Sequence, residues 1–138
     1  MNIAARSIVI LCVFMLLACQ AEIPKKETTV RRGIVYQRGE KEPFTGYVVG
    51  KAREDYRSQT CRYKKQYKDG KLDGTSKFWY PNGQLESVEP YQNGELNGDV
   101  IRYHDNGQMK ARIPMRNGMR SGGGGELFWD KHGKLRKG

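Results

Sequence analysis

The side chains able to do chemistry are few and far apart. His104 and His132 fall beside turn-forming dipeptides in different stretches of the chain. A metal site wants clustered ligands, so both histidines are expected to face solvent and no metal is expected. Three cysteines are present, Cys12, Cys19 and Cys61. Cys61 reads as a small hydrophobe inside a strand or, in an exported protein, as a reactive or intermolecular thiol. Glu54 and Asp55 sit next to Arg53 and Arg57, as solvated loop charges do. No Gly-x-Ser-x-Gly elbow and no His-rich zinc motif occurs. The expectation is a protein that is not an enzyme and takes no cofactor.

Cys19 has the most specific chemical context. Arg6 precedes an apolar run from Ile8 to Leu17, too short to span a bilayer and right for the central region of a secretory signal. The run ends Leu16-Leu17-Ala18-Cys19, which resembles the lipobox of bacterial lipoproteins, where a peptidase cuts before a cysteine whose thiol has been acylated. The alternative is an ordinary signal peptide, or a short membrane anchor, with a chance cysteine. The lipobox reading makes residues 1–18 a signal peptide of helical form and Cys19 the lipidation site, with the membrane as first partner. Gln20 stands where such lipoproteins carry Asp for inner-membrane retention, so the expected location is the cell envelope, at the outer membrane if the organism has one. Residues 19–32 lack period and apolar content and read as a flexible tether.

Charge is the next signal. Against 15 acidic residues stand 25 Lys and Arg, a formal net charge of +10. The segment 51–71 is dense in both basic and aromatic side chains. Strand alternation over Cys61 to Tyr67 puts Cys61, Tyr63, Lys65 and Tyr67 on one face and Arg62, Lys64 and Gln66 on the other. Lys65 then lies between two tyrosines, open to cation–π contact. Arg62, Lys64, Lys65 and Lys68 are candidate ligand-binding residues for anionic lipid or envelope polymer. The competing reading is that lysines keep a thin exported sheet soluble and its edges unpaired. Nucleic acid would need the same ingredients, but an export signal removes it from reach, and no nucleic-acid partner is expected.

The elements that position these residues come from a repeat. Gly70, Gly94 and Gly118 are spaced by 24 residues, and Tyr67, Tyr91 and Met115 align with them, as do Gly74, Gly98 and Gly122. Trp79, Tyr103 and Trp129 align next, the last after two extra glycines. Asn82-Gly83, Asn106-Gly107 and His132-Gly133 follow, each trailed by an apolar residue, Leu85, Met109 or Leu135. Asn-Gly and Asp-Gly between short runs signal β-hairpins, so one unit is two hairpins of antiparallel meander. Glu42-Pro43-Phe44-Thr45-Gly46 is a divergent copy of the turn before Gly74, with four residues inserted between it and Tyr67. Beyond residue 18, Leu, Ile, Val and Phe fall below the share of about 20 per cent under which a charged chain is suspected of disorder. The repeat register and the aromatics in the strands argue for order with a thin core.

The frame Tyr67-Lys68-Asp69-Gly70-Lys71-Leu72-Asp73-Gly74, then Trp79-Tyr80-Pro81-Asn82-Gly83-Gln84-Leu85, then Tyr91-Gln92-Asn93-Gly94 resembles the variant MORN repeats of many bacterial proteins. It covers residues 61–138 well and 33–60 loosely. The resemblance implies an all-β, elongated single-layer antiparallel meander of repeated β-hairpins over 33–138, serving as a protein-binding or scaffold module. Trp79, Tyr103 and Trp129, one per unit, are further candidate ligand-binding residues, carried on an aromatic face. Many proteins with such repeats carry an antitoxin label, which makes an antitoxin or immunity-like role a further reading. An export signal fits poorly with neutralising a cytoplasmic toxin.

Overall fold

The computed structural model describes residues 20–51 and 62–136. The expected signal peptide over residues 1–18, Cys19, the loop charges from Arg53 to Arg57 and Cys61 lie outside the described residues. The chain is all-β. Its strands are β1 (Glu22–Pro24), β2 (Thr28–Arg31), β3 (Ile34–Gln37), β4 (Gly46–Gly50), β5 (Arg62–Lys68), β6 (Lys71–Leu72) and β7 (Gly74–Trp79). They continue as β8 (Leu85–Gln92), β9 (Glu95–Leu96), β10 (Gly98–Tyr103), β11 (Met109–Arg116), β12 (Met119–Arg120), β13 (Leu127–Trp129) and β14 (Leu135–Arg136). The main path runs β1-β4-β5-β7-β8-β10-β11-β13-β14, with β6, β9 and β12 as short returns on β5, β8 and β11. The hairpin of β2 and β3 forms a separate two-stranded sheet.

Two kinds of turn alternate along the array. In Asp69-Gly70, Asn93-Gly94 and Asn117-Gly118 both residues have positive φ, as a two-residue hairpin loop of the right twist requires. Asn and Asp tolerate that left-handed conformation better than other side chains. The turns at Asn82-Gly83 and Asn106-Gly107 differ: only the glycine is left-handed. Tyr80 N–H donates to Gln84 O and Gly83 N–H to Tyr80 O, which makes a three-residue loop with a bulge. Just beyond these loops the register shifts at Phe78/Trp79 and at Arg102/Tyr103, with Glu86 and Lys110 as the extra residues. His132 can replace Asn in the third copy because its position needs no left-handed backbone.

The repeat register is visible in the pairing. Gly46 lies opposite Tyr67, Gly74 opposite Tyr91 and Gly98 opposite Met115, so the divergent first copy is in step with the others despite its insertion. Units are stitched through backbone: Gly70 N–H donates to Phe44 O at 2.8 Å, Gly94 N–H to Leu72 O at 2.7 Å and Gly118 N–H to Leu96 O at 2.9 Å.

The N-terminal segment corrects the tether expected over 19–32. Glu22, Ile23 and Pro24 pair in parallel with Tyr47, Val48 and Val49, and Tyr47 N–H donates to Ala21 O at 2.7 Å. Ile23 is buried, and burying an aliphatic side chain is worth about 1.5–3 kcal/mol, which offsets the low strand propensity around it. This pair is the one parallel step in a path that is otherwise antiparallel.

One face of the sheet carries two apolar clusters. Ile23, Phe44, Val48 and Tyr63 form the first, with Val35, Tyr67 and Phe78 against them. Val100, Ala111 and Ile113 form the second, with Leu96 and Met115. Between them the same face is polar. Ser76, fully buried, lies opposite Glu89, and Ser76 Oγ has no hydrogen-bond partner.

Candidate binding face

The opposite face holds the candidate site. Phe78, Val100 and Ala111 point into the clustered side, and residues alternate across a strand. Trp79 therefore points away from the core, and so do Tyr103, three residues beyond Val100, and Trp129, next to the Phe128 that pairs with Ala111. Register places them in one row. Arg62 lies opposite Trp79, Trp79 opposite Leu85, Tyr103 opposite Met109 and Trp129 opposite Leu135. Ser87 pairs with Arg102 and Ala111 with Phe128, so the next positions in register set Glu86 beside Tyr103 and Lys110 beside Trp129, one residue from Leu85 and Met109. The result is a ridge of Trp79, Leu85, Tyr103, Met109, Trp129 and Leu135 into which Glu86 and Lys110 are set. Met109 and Leu135 are exposed, and the other four are half-buried.

Side chains at the turns hold successive rings in line. Tyr80 Oη donates to Tyr103 O at 2.8 Å, and His104 Nε2 lies 3.0 Å from Trp129 O, where it can only donate. Asn82 Nδ2 donates to Asp105 O and Asn106 Nδ2 to Lys131 O, both at 2.8 Å. This corrects the reading of His104 as a solvent-facing turn residue: it is half-buried and does for the third unit what Tyr80 does for the second. His132 is exposed. Among the described residues no group of three or more His, Cys, Asp or Glu could hold a metal ion.

The basic candidates divide. Arg62 and Lys64 share the ridge face, with the Arg62 guanidinium 5.8 Å from the Trp79 ring centroid and Lys64 Nζ 4.3 Å from that of Tyr47. Lys64 also pairs with Glu22. Lys77 lies opposite Lys64. Arg62 and Lys64 rim a cleft of about 530 Å³ lined also by Glu22, Pro24, Val49 and Trp79. A second, of about 440 Å³, includes Tyr47, Gln66 and Lys77.

Lys65 is on the other face, as alternation predicts. Its ammonium sits 4.9 Å from the Tyr63 centroid and 5.5 Å from that of Phe78, so its second ring is Phe78 of the next strand and not Tyr67. Burial pulls the Lys65 pKa below its ordinary value, while the charge of Glu89 acts against that shift and Lys25 adds to it. Lys68 is exposed at the end of β5, paired with Lys71 of β6. The four residues read as one basic patch are therefore not brought together. Lys77 and Tyr47, which the sequence reading did not single out, complete the group around Arg62 and Lys64.

Residues 72–93 and 96–117 each match the sequence model of the family described as MORN repeat variant. Neither a curated protein nor a solved structure matches the chain. Each match spans one three-residue hairpin turn and one ring of the ridge and ends on the Asn of a two-residue turn, so residues 72–117 carry two repeats similar to those of the MORN repeat variant family.

Proposed function

We propose that this chain is a non-enzymatic binding module of the cell envelope, anchored through acylated Cys19, that docks a protein partner on the ridge of Trp79, Tyr103 and Trp129. Repeat modules of this kind often serve in binding. The observation that carries the reading is the row itself: one ring per unit, on the face without a core, flanked by exposed Met109 and Leu135. Exposed apolar side chains gathered beside aromatic rings mark interaction sites, and Trp and Tyr are enriched among the residues that dominate binding energy at interfaces. Only Gln20 and Ala21 separate Cys19 from β1, so the anchor would hold the sheet close to the bilayer. The test is co-purification from the native envelope. A partner protein recovered in stoichiometric yield, and lost when Trp79, Tyr103 and Trp129 are all changed to Ala, supports the proposal. Equal recovery with the triple variant contradicts it.

A second reading rests on the two clefts that share Lys64 and Trp79, one with Arg62 and the other with Lys77 and Tyr47. Here the ligand is an anionic lipid or envelope polymer held by charge beside Trp79 and Tyr47. Retention on anionic vesicles should then fall steeply as salt shortens the Debye length from about 10 Å at 0.1 M to about 3 Å at 1 M.

A further inference from the structure

We infer that the partner on the ridge is a second copy of this chain, turned about a two-fold axis that runs along the strands and passes over Tyr103. The inference rests on the proposed protein-binding function and names that partner.

Register carries it. Phe78 pairs with Ser87, Ser87 with Arg102, Arg102 with Ala111 and Ala111 with Phe128. One residue toward the turns on every strand, the next row is Trp79, Glu86, Tyr103, Lys110 and Trp129, on the ridge face. The strand order is balanced about β10, with β8, β7 and β5 on one side and β11, β13 and β14 on the other. Outward from Tyr103 the row reads Glu86 then Trp79 one way and Lys110 then Trp129 the other. Its rings are alike on the two sides and its charges are opposite.

A two-fold axis makes an interface self-complementary, so that residue i meets residue j and j meets i. About the axis over Tyr103, Glu86 of each copy meets Lys110 of the other and Trp79 meets Trp129. Leu85 and Met109, opposite Trp79 and Tyr103 within the chain, meet each other as well. One row in, Val88 pairs with Ile101 and Ile101 with Arg112, so Ile101 meets its own duplicate and Val88 meets Arg112. The Arg112 charge is already paired with Asp99 at 2.6 Å inside its own copy. The basic end, with Arg62, Lys64 and Lys77 on β5 and β7, lies over β13 and β14 of the second copy and so away from its own duplicate.

Sheet packing favours the same arrangement. Turning the second sheet about an axis along the strands leaves the two sets of strands aligned, as face-to-face sheets pack, within about 30°. Glu86 is half-buried and Lys110 exposed. A foreign partner would have to supply both signs of charge at these two places, whereas a second copy brings them in the required order.

The test uses full-length chains carrying two different tags, co-expressed and solubilised in detergent, with one tag recovered through the other. Recovery is expected for the parent chain. Glu86→Lys sets lysine against lysine at both contacts, and Lys110→Glu sets glutamate against glutamate. Each variant paired with itself should therefore be recovered more than about tenfold less, as juxtaposed like charges dictate. A Glu86→Lys copy co-expressed with a Lys110→Glu copy regains both contacts, and its recovery should return to within about threefold of the parent. Misfolding cannot produce that rescue, because each chain carries the same substitution in both experiments. The inference is overturned if the parent does not recover itself, if neither substitution reduces recovery, or if the two single variants fail to rescue each other. If self-recovery is absent while a different protein is lost on changing the three rings to Ala, the second-copy inference alone falls. If the rings prove dispensable for every partner, the proposed function falls with it.

Discussion

Tyr80 donates its phenolic hydrogen to the backbone carbonyl of Tyr103 across 2.8 Å, tying the turn of one unit to the aromatic ring of the next. The bond explains how a sheet with little apolar core keeps its binding side chains in line. Removing it while keeping the ring should be costly: Tyr80→Phe is expected to lose about 1 kcal/mol, the net value of a typical hydrogen bond. Urea unfolding followed by circular dichroism measures this.

The glycines divide into strained and free positions. Gly74 has φ of +98°, and a Cβ there would strike the Gln66 side chain, whose Oε1 accepts Thr75 N–H at 3.1 Å. Gly74→Ala is therefore expected to destabilise by more than about 1 kcal/mol. Gly122, with ordinary φ and open space around its Cα, should accept Ala with no loss. The same unfolding experiment separates them. Gly94, at φ of +90°, belongs with Gly74 by conformation, and Gly94→Val should also cost more than about 1 kcal/mol.

Ser76 gives a prediction of opposite sign. Its hydroxyl is buried and unpartnered, so the cost of desolvating it is met with no hydrogen bond in return. Ser76→Ala is expected to leave stability unchanged or raise it by about 1 kcal/mol. A loss of more than 1 kcal/mol would mean that the hydroxyl is satisfied after all.

Alkaline pH should unfold the sheet through its tyrosines. Burial raises the pKa of Tyr63, Tyr67, Tyr80 and Tyr91 above the ordinary 10.0. At Tyr91 the charge of Glu89 and its hydrogen bond to Tyr91 Oη at 2.9 Å add to that shift. A raised folded pKa means that the unfolded chain releases the proton first. Stability is then complete below pH 10 and falls as pH rises above it. Tyr91→Phe should flatten the decline, and phenolate absorbance should show native tyrosines ionising later than those of the unfolded chain.

Much of this fold was legible because a repeat states its turns several times over. The alignment of Trp79 with Tyr103 and Trp129, and of Leu85 with Met109 and Leu135, already contained the ridge, since each pair flanks one three-residue turn. What stayed hidden was non-local. The pairing of β1 with β4 joins a short segment of low strand propensity to partners 25 positions away, and nothing in Gln20 to Pro24 announces it. The role of His104 was masked because Tyr80 and Asp130, its equivalents, are chemically unlike it. The pairing of Tyr63 with Phe78 sets the ring beside Lys65, and alternation within β5 alone cannot show that. The same Asx-Gly dipeptide also serves two turn types, told apart only by loop length.

The central claim is that partners meet the ridge face and not its reverse, and neighbouring residues of β13 test it. Phe128 and Trp129 are adjacent in sequence but face opposite sides, and Phe128 is the more exposed, at 39 %. A photo-crosslinking benzoylphenylalanine placed at either position in cells reports which face is occupied. The account predicts a discrete protein adduct from position 129 and none from 128. An adduct from 128 alone, or equal adducts from both, would contradict it.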